Sequence, residues 1–193
     1  MSDPQPLNLD LEGITIYLIG MMGAGKSTVG RALAKQLEYR FFDSDDLIEK
    51  VSQQAIADLF AHQGEAAFRD LETQVLQQLA ACARSVIATG GGIVLRQQNW
   101  SYLQEGLVIW LDAPVDILVS RLRDDTSRPL LQAADLTAKL TALFTERRSR
   151  YAQADLKISV TAEQTPAAIA QTILTQIPSI LKAPLVPIEV EQN

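Results

Sequence analysis

The chain has 193 residues, of which 47% are hydrophobic, a single cysteine and a formal net charge of −6. This length and this apolar fraction are sufficient for one domain with a packed core. The negative charge argues against nucleic acid or an anionic membrane surface as the main partner, because both require a broad basic face. A lone cysteine cannot form an internal disulfide, and no signal peptide, transit peptide or membrane span is visible. We therefore expect a cytoplasmic protein.

Residues 20–27 read Gly-Met-Met-Gly-Ala-Gly-Lys-Ser and match the pattern of a phosphate-binding loop. This phosphate loop lies between an apolar predicted strand, 14–19, and a predicted helix, 28–37, which is the order that the pattern requires. Backbone N–H groups of such a loop and the positive N-terminal end of the helix bind a polyphosphate. Lys26 would reach the β- and γ-phosphates, and the Ser27 hydroxyl would hold Mg²⁺. The sequence thus predicts binding of a nucleoside triphosphate.

The rest of the sequence alternates between predicted strands and predicted helices. The strands are 39–43, 85–88, 107–111 and 156–160. The helices are 45–51, 55–63, 65–83, 114–122, 136–154 and 165–181. Continuous hydrophobicity in 107–111 is typical of a strand covered on both faces in a parallel sheet. We expect an α/β fold, a three-layer sandwich with a five-stranded parallel sheet and helices on both faces, of the P-loop kinase type and similar to nucleoside monophosphate kinases.

This pattern predicts a single P-loop kinase domain at 13–181, with a flexible N-terminal segment, 1–12, and a flexible C-terminal tail, 182–193. Within the domain, the helices of 45–83 are expected to bind the phosphate acceptor. Polar residues and a proline make the stretch 123–136 typical of a mobile lid that closes over a site.

Unusual motifs stand at the carboxyl ends of the first four predicted strands. They are the phosphate loop, Asp-Ser-Asp at 43–45, three glycines at 90–92, and Asp112. Ligands of parallel α/β sheets bind at this edge. The motifs therefore predict one composite site, although the glycines alone could form only a tight turn. Asp112 follows an apolar strand, as a Mg²⁺-binding acid does in many nucleotide hydrolases.

Asp45 is the candidate group that orients the acceptor hydroxyl or takes its proton, since phosphoryl transfer needs such a group. The alternative is that Ser44 or Asp45 only caps the helix that begins near Asp46. Arg69 has Glu65 four residues before it and Glu72 three residues after it, so by itself it would be read as part of a surface ion pair.

The ordered set of motifs resembles the shikimate kinase family, with a match from about 14 to 180. It includes, beyond the strand-end motifs, Phe-Arg at 68–69 with Glu72, Arg-Pro-Leu-Leu at 128–131, and Arg147 four residues before Tyr151. Enzymes of that family transfer the γ-phosphoryl group of ATP to the 3-hydroxyl of shikimate, on the route to chorismate and the aromatic amino acids. The resemblance implies this Mg²⁺-dependent reaction, with ATP and shikimate as substrates of a monomeric enzyme.

The resemblance also implies a role for each motif residue. The catalytic residues would be Asp45, Lys26 and Arg128, the last swinging from the lid onto the transferring phosphates. The residues at ATP would be Gly23, Ala24, Gly25, Lys26, Ser27, Thr28, Arg121, Arg128 and Pro166. The residues at shikimate would be Asp45, Arg69, Gly90, Gly91, Gly92 and Arg147, with the two arginines gripping its carboxylate. Mg²⁺ would be held by Ser27 and, through water, by Asp43, which the resemblance favours over Asp112.

Two alternatives stay open. The chain could be another small-molecule kinase on the same fold, such as a gluconate-type or nucleotide kinase, against which the glycines and the acids of 43–45 count. It could also be a non-catalytic relative, which would be expected to lack Lys26, Asp45, Arg69 or Arg147. Six of the eleven arginines fall within 121–150, which indicates a local anion site. Those that match no family role, Arg123, Arg148 and Arg150, are interpreted as solvated, and His62 as an exposed helix residue.

Overall fold

A computed structural model describes residues 11, 13–123 and 135–181. Most of the predicted N-terminal segment, most of the predicted lid and the whole predicted C-terminal tail lie outside these residues. Arg128 lies outside them as well, so its proposed movement stays a prediction.

Strands and helices alternate along the described chain. In order they are β1 (Ile16–Ile19), α1 (Lys26–Leu37), β2 (Arg40–Asp43), α2 (Ser44–Ser52), α3 (Ile56–Ala80), β3 (Ser85–Ala88), α4 (Gln97–Leu103), β4 (Leu107–Asp112), α5 (Val115–Leu122), α6 (Leu136–Tyr151), β5 (Leu156–Ser159) and α7 (Pro166–Leu181). A single 3₁₀ turn, Ile93–Leu95, connects the glycines after β3 to α4.

The five strands form one parallel sheet in the order β2-β3-β1-β4-β5, so the predicted fold is confirmed. The three central strands are hydrophobic and buried almost throughout, because helices cover both faces of the sheet. This order brings the ends of β2, β3, β1 and β4 side by side. No helix in the described ranges combines the length and the apolar character that crossing a bilayer requires.

Several element boundaries differ from those predicted. The second helix begins at Ser44, because Asp43 caps it by accepting a hydrogen bond from the backbone N–H of Asp45 at 3.0 Å. The alternative that Ser44 or Asp45 is the cap was therefore wrong. The predicted break between helices 55–63 and 65–83 is confirmed, because Gly64, with a φ of 79°, is non-helical and separates the two helical segments that make up α3. This element ends at Ala80, three residues earlier than predicted.

Candidate active site

The phosphate loop leads directly into α1. Gly23 and Gly25 have φ of 78° and 96°, which other residues rarely adopt, and Gly25 caps α1 without a side-chain hydrogen bond. The first N–H groups of α1 therefore receive no side-chain cap, as an anion site requires. Lys26 is 8% exposed, and its Nζ donates to the carbonyls of Gly20 and Met21, each at 2.9 Å. Its ammonium group is thus held within the curve of the loop.

Ser27 and Asp43 bring two oxygen donors together beside the phosphate loop. The Ser27 hydroxyl donates to Asp43 Oδ2 at 2.5 Å, which joins the start of α1 to the end of β2. Such hard oxygen donors fit Mg²⁺. Within the part of the chain that the structure describes, no group of three or more His, Cys, Asp or Glu side chains could hold a metal. Mg²⁺ would therefore need phosphate and water oxygens to complete its coordination.

A cavity of about 550 Å³ opens over the phosphate loop. Every described residue predicted for ATP lines it, and so do Asp43 and Asp45. Arg121 of α5 donates from Nη1 to the carbonyl of Gly23 at 3.1 Å, which fixes its guanidinium at the edge of the loop. Pro166, the first residue of α7, completes the wall. We call this space the nucleotide cavity.

A second cavity, of about 320 Å³, lies next to the first and is called the acceptor cavity. All six residues predicted for shikimate line it. Its apolar wall comes from α3 and from the phosphate loop, and consists of Ile56, Phe60, Phe68 and Met22. The predicted acceptor-binding stretch 45–83 thus supplies one whole side of a cavity that combines an apolar wall with buried charges.

Asp45, Asp46 and Gly91 line both cavities and so form the boundary between them. Asp45 lies in the first turn of α2, half-buried. An ideal Cβ on Gly90 would come within 2.8 Å of Asp45 Oδ1 and within 2.9 Å of Glu72 Oε1. Only glycine leaves room for both carboxylates at this position. The glycines therefore shape the site and do not merely form a tight turn.

Arg69 is buried, with 7% exposure, so the interpretation as a surface ion pair was wrong. Its guanidinium donates to Glu72 Oε2 at 2.8 Å and to Glu65 Oε1 at 3.1 Å. Burial lowers the pKa of Arg69, but the charges and hydrogen bonds of Glu72 and Glu65 outweigh burial and raise the pKa above its ordinary value. Arg69 therefore enters the cavity as a permanent cation that already has acidic partners.

Glu72 lines the site, although the sequence predicted for it only a place in the motif around Arg69 and no role of its own. It is 1% exposed and lines the acceptor cavity, and within the described residues its Oε1 has no hydrogen-bond partner. Burial raises its pKa, while the charge and hydrogen bond of Arg69 oppose this effect. The signal in the sequence was its spacing of three residues from Arg69, but that spacing does not reveal burial.

Arg147 is a buried cation on α6, with 3% exposure. Its Nη1 donates to the carbonyl of Gly91 at 3.3 Å, whereas its Nε has no partner within the described residues. No salt bridge to it is found among the residues that the structure describes. The charge of Glu72 acts on Arg147 without a direct ion pair. A buried cation that lacks a directly paired carboxylate is costly, so this position is suited to an anionic ligand.

The remaining candidates lie apart from this arrangement. Asp112 pairs with Lys157 at 2.7 Å and lines neither cavity, which leaves it no part in the site. His62 is exposed, as expected. Arg123 and Arg148 are exposed too, but the prediction for Arg150 was wrong, because Arg150 is half-buried and donates to the carbonyl of Leu95 at 2.7 Å.

Comparison with known proteins agrees with this geometry. The family model described as shikimate kinase matches residues 22–178. A shikimate kinase from Rippkaea orientalis is 59% identical over 172 residues, which are 89% of this chain and 92% of that protein. The structure of a shikimate kinase from Acinetobacter baumannii in complex with shikimate matches with a TM-score of 0.84 and 39% identity, over 89% of this chain and 96% of that one.

A gluconokinase from Sinorhizobium meliloti also matches, with a TM-score of 0.52 over 88% of this chain and 95% of that one. At 19% identity, this likeness extends to the fold alone. The prediction of a shikimate kinase enzyme is confirmed by the family model and by the relatives. From its sequence and from its fold, the chain belongs to the shikimate kinase family.

Proposed function

We propose that the protein transfers the γ-phosphoryl group of ATP to the 3-hydroxyl of shikimate, giving shikimate 3-phosphate for the synthesis of chorismate and the aromatic amino acids. The observation that carries this proposal is that Asp45 lies in the wall shared by a nucleotide cavity and an acceptor cavity. An in-line transfer needs a phosphate donor and a hydroxyl on either side of such a group. A monomer in the cytoplasm is part of the proposal, and the single cysteine agrees with a reducing compartment.

The nucleotide cavity is suited to the triphosphate of ATP. The backbone of the phosphate loop and the start of α1 would hold the phosphates, with Lys26 moving its Nζ from the loop carbonyls to the β- and γ-phosphates. Ser27 and Asp43 would hold Mg²⁺, Asp43 through water. When bound, Mg²⁺ neutralises the charge on the phosphate oxygens. Arg121 and Pro166 would flank the adenine side, and Arg128 would approach from the lid.

The acceptor cavity is suited to a small ring that carries a carboxylate. Arg147 offers a buried guanidinium without a carboxylate partner among the described residues, and Arg69 offers a second one beside it. Two planar donors bind a planar carboxylate at defined angles. The three glycines would let the ring approach the backbone, and the apolar wall of the cavity would pack against the apolar face of the ring. The solved structure of the Acinetobacter relative, which contains shikimate, supports this choice of acceptor.

Asp45 would take the proton of the 3-hydroxyl as the hydroxyl oxygen bonds to the γ-phosphorus. The bond from the γ-phosphorus to the bridging oxygen breaks, and ADP leaves with that oxygen. Asp45 lies half-buried in the first turn of α2, and as a carboxylate it would act as the general base for this proton.

The proposed function is tested with an acceptor panel. ADP release is measured with Mg·ATP and shikimate, quinate, gluconate or AMP. We expect the highest kcat/KM for shikimate, because its carboxylate and its ring fit the two arginines and the glycine-lined wall. Activity confined to gluconate or AMP would contradict the proposal.

Asp45→Asn separates chemistry from nucleotide binding. We expect kcat to fall about 10²- to 10⁴-fold, since an amide cannot take the proton, while the dissociation constant of ATP changes by less than about threefold. Steady-state assays of ADP release measure kcat, and titration of the protein with ATP measures the dissociation constant. The control is Asp58→Asn, an exposed acid in the first turn of α3. Turnover close to that of this control would mean that Asp45 is a positioning group and not the base.

Arg147→Gln tests the carboxylate contact. We expect KM for shikimate to rise about 10- to 100-fold, the range for a hydrogen bond to a charged group, with KM for ATP nearly unchanged. The matched control is Arg148→Gln, because Arg148 is the next residue of α6 and its side chain is exposed. If the two variants had the same KM for shikimate, Arg147 would not bind the acceptor.

A further inference from the structure

The backbone of 90–95, which we call the glycine turn, is held by hydrogen bonds with side chains of three surrounding helices, α2, α4 and α6. The N–H of Gly90 donates to Ser44 Oγ of α2 at 3.0 Å. Asn99 of α4 donates from Nδ2 to the carbonyl of Ile93 at 2.8 Å, within a network that includes Thr73 of α3. From α6, Arg150 donates to the carbonyl of Leu95 at 2.7 Å. The glycine turn therefore has a defined conformation although it contains three glycines in succession.

Tyr151, the last residue of α6, makes the contact at the centre of the glycine turn. Its hydroxyl donates to the carbonyl of Gly91 at 2.5 Å. The residue is fully buried, and its ring stacks on Trp110 of β4 with 5.8 Å between ring centroids. Burial raises the pKa of Tyr151 to about 12, although the charge of Arg147 and its hydrogen bond with the Tyr151 hydroxyl oppose this rise. The hydroxyl therefore keeps its proton and can donate at neutral pH. Tyr151 lines neither cavity.

The carbonyl of Gly91 has two donors, and the second is the arginine proposed to bind the acceptor. Arg147 lies one helical turn before Tyr151, and its Nη1 is 3.3 Å from the same oxygen. The hydrogen bond from Tyr151, at 2.5 Å, is therefore much shorter than the one from Arg147, at 3.3 Å. Gly91 itself borders both cavities, and an ideal Cβ on it would lie 3.2 Å from the backbone nitrogen of Met22 in the phosphate loop.

We propose that the Tyr151 hydroxyl is a positioning group that satisfies the Gly91 carbonyl and so leaves the Arg147 guanidinium for the acceptor's carboxylate. Without this hydroxyl, Arg147 is the remaining side-chain donor to that carbonyl within the described residues. Gly91 is half-buried, and its carbonyl still needs a donor, so the guanidinium then turns towards Gly91 and away from the ligand. This inference rests on the proposed function, because it presumes that the acceptor carries a carboxylate.

Tyr151→Phe removes the hydroxyl and keeps the ring that packs on Trp110. We expect the dissociation constant of shikimate, measured by titration calorimetry, to rise roughly three- to tenfold, the effect of one hydrogen bond. We expect kcat and KM for ATP to stay within about twofold, since the residue touches neither the reacting atoms nor the nucleotide. Unchanged shikimate affinity, or an equal loss of ATP affinity, would overturn the inference.

Tyr17→Phe is a matched control. Tyr17 of β1 is also fully buried, and burial, with the charges of Glu105 and Cys82, raises its pKa to about 12. Its hydroxyl has no hydrogen-bond partner within the described ranges, so removing it breaks no such bond. We expect this variant to bind shikimate as the wild type does. A loss of affinity equal to that of Tyr151→Phe would overturn the inference, because any buried tyrosine would then behave alike.

A double-mutant cycle distinguishes an effect through Arg147 from a general loosening of the turn. If Tyr151 acts through Arg147, adding Tyr151→Phe to Arg147→Gln should weaken shikimate binding by less than about twofold further. The same three- to tenfold loss in both backgrounds would contradict the inference. Failure of the wild-type enzyme to phosphorylate shikimate would refute the proposed function itself, whereas an active wild type with an unaffected Tyr151→Phe variant would refute only the role of Tyr151.

Discussion

A side chain at Gly90 or Gly92 would collide with the groups that form the acceptor cavity. An ideal Cβ would lie 2.8 Å from Asp45 Oδ1 in the first case and 2.4 Å from the Arg69 guanidinium in the second. Contacts this short would push aside the carboxylate or the cation. The absence of side chains at Gly90 and Gly92 is the constraint on which the site depends, because it lets α2 and α3 bring charged groups against the end of β3.

The charges of the acceptor cavity are only partly balanced within the described chain. Glu72 and Glu65 pair with Arg69, whereas Arg147 is buried and has no salt bridge there. A ligand carboxylate would give Arg147 a direct ion pair in addition to the more distant charge of Glu72. In the proposed function, the contact that gives affinity also orients the ring, because the cavity holding the arginines meets the nucleotide cavity at Asp45. Binding and alignment for transfer then arise from the same arrangement.

The fold was predictable because its signals are local. A run such as 107–111 is hydrophobic throughout, and the phosphate loop requires a strand before it and a helix after it. The convergence of motifs followed from the rule that ligands bind at the carboxyl edge of a parallel sheet. Asp45 could therefore be named as a candidate before its position was known, whereas Arg147 was named from the resemblance to the shikimate kinase family, and the roles of both stay proposals.

What could not be predicted depends on distant contacts. The Asp43 carboxylate that caps α2 is also held by the Ser27 hydroxyl, 16 residues away in the sequence. Arg150 is held by the carbonyl of Leu95, 55 residues away, and nothing in the sequence around it indicates that partner. The burial of Glu72 likewise depends on how α3 packs beside the glycine turn, whereas spacing on a helix indicates only which residues can pair.

The central claim is that Arg147 and Arg69 hold the acceptor so that one particular hydroxyl faces Asp45 and the phosphate loop. It is tested most directly by the position of the phosphate on the product formed from shikimate and ATP, determined by proton and phosphorus NMR. The account predicts a single product in which phosphorus couples to the proton on carbon 3 of the ring. A phosphate on another ring oxygen, or a mixture of positions, would contradict it.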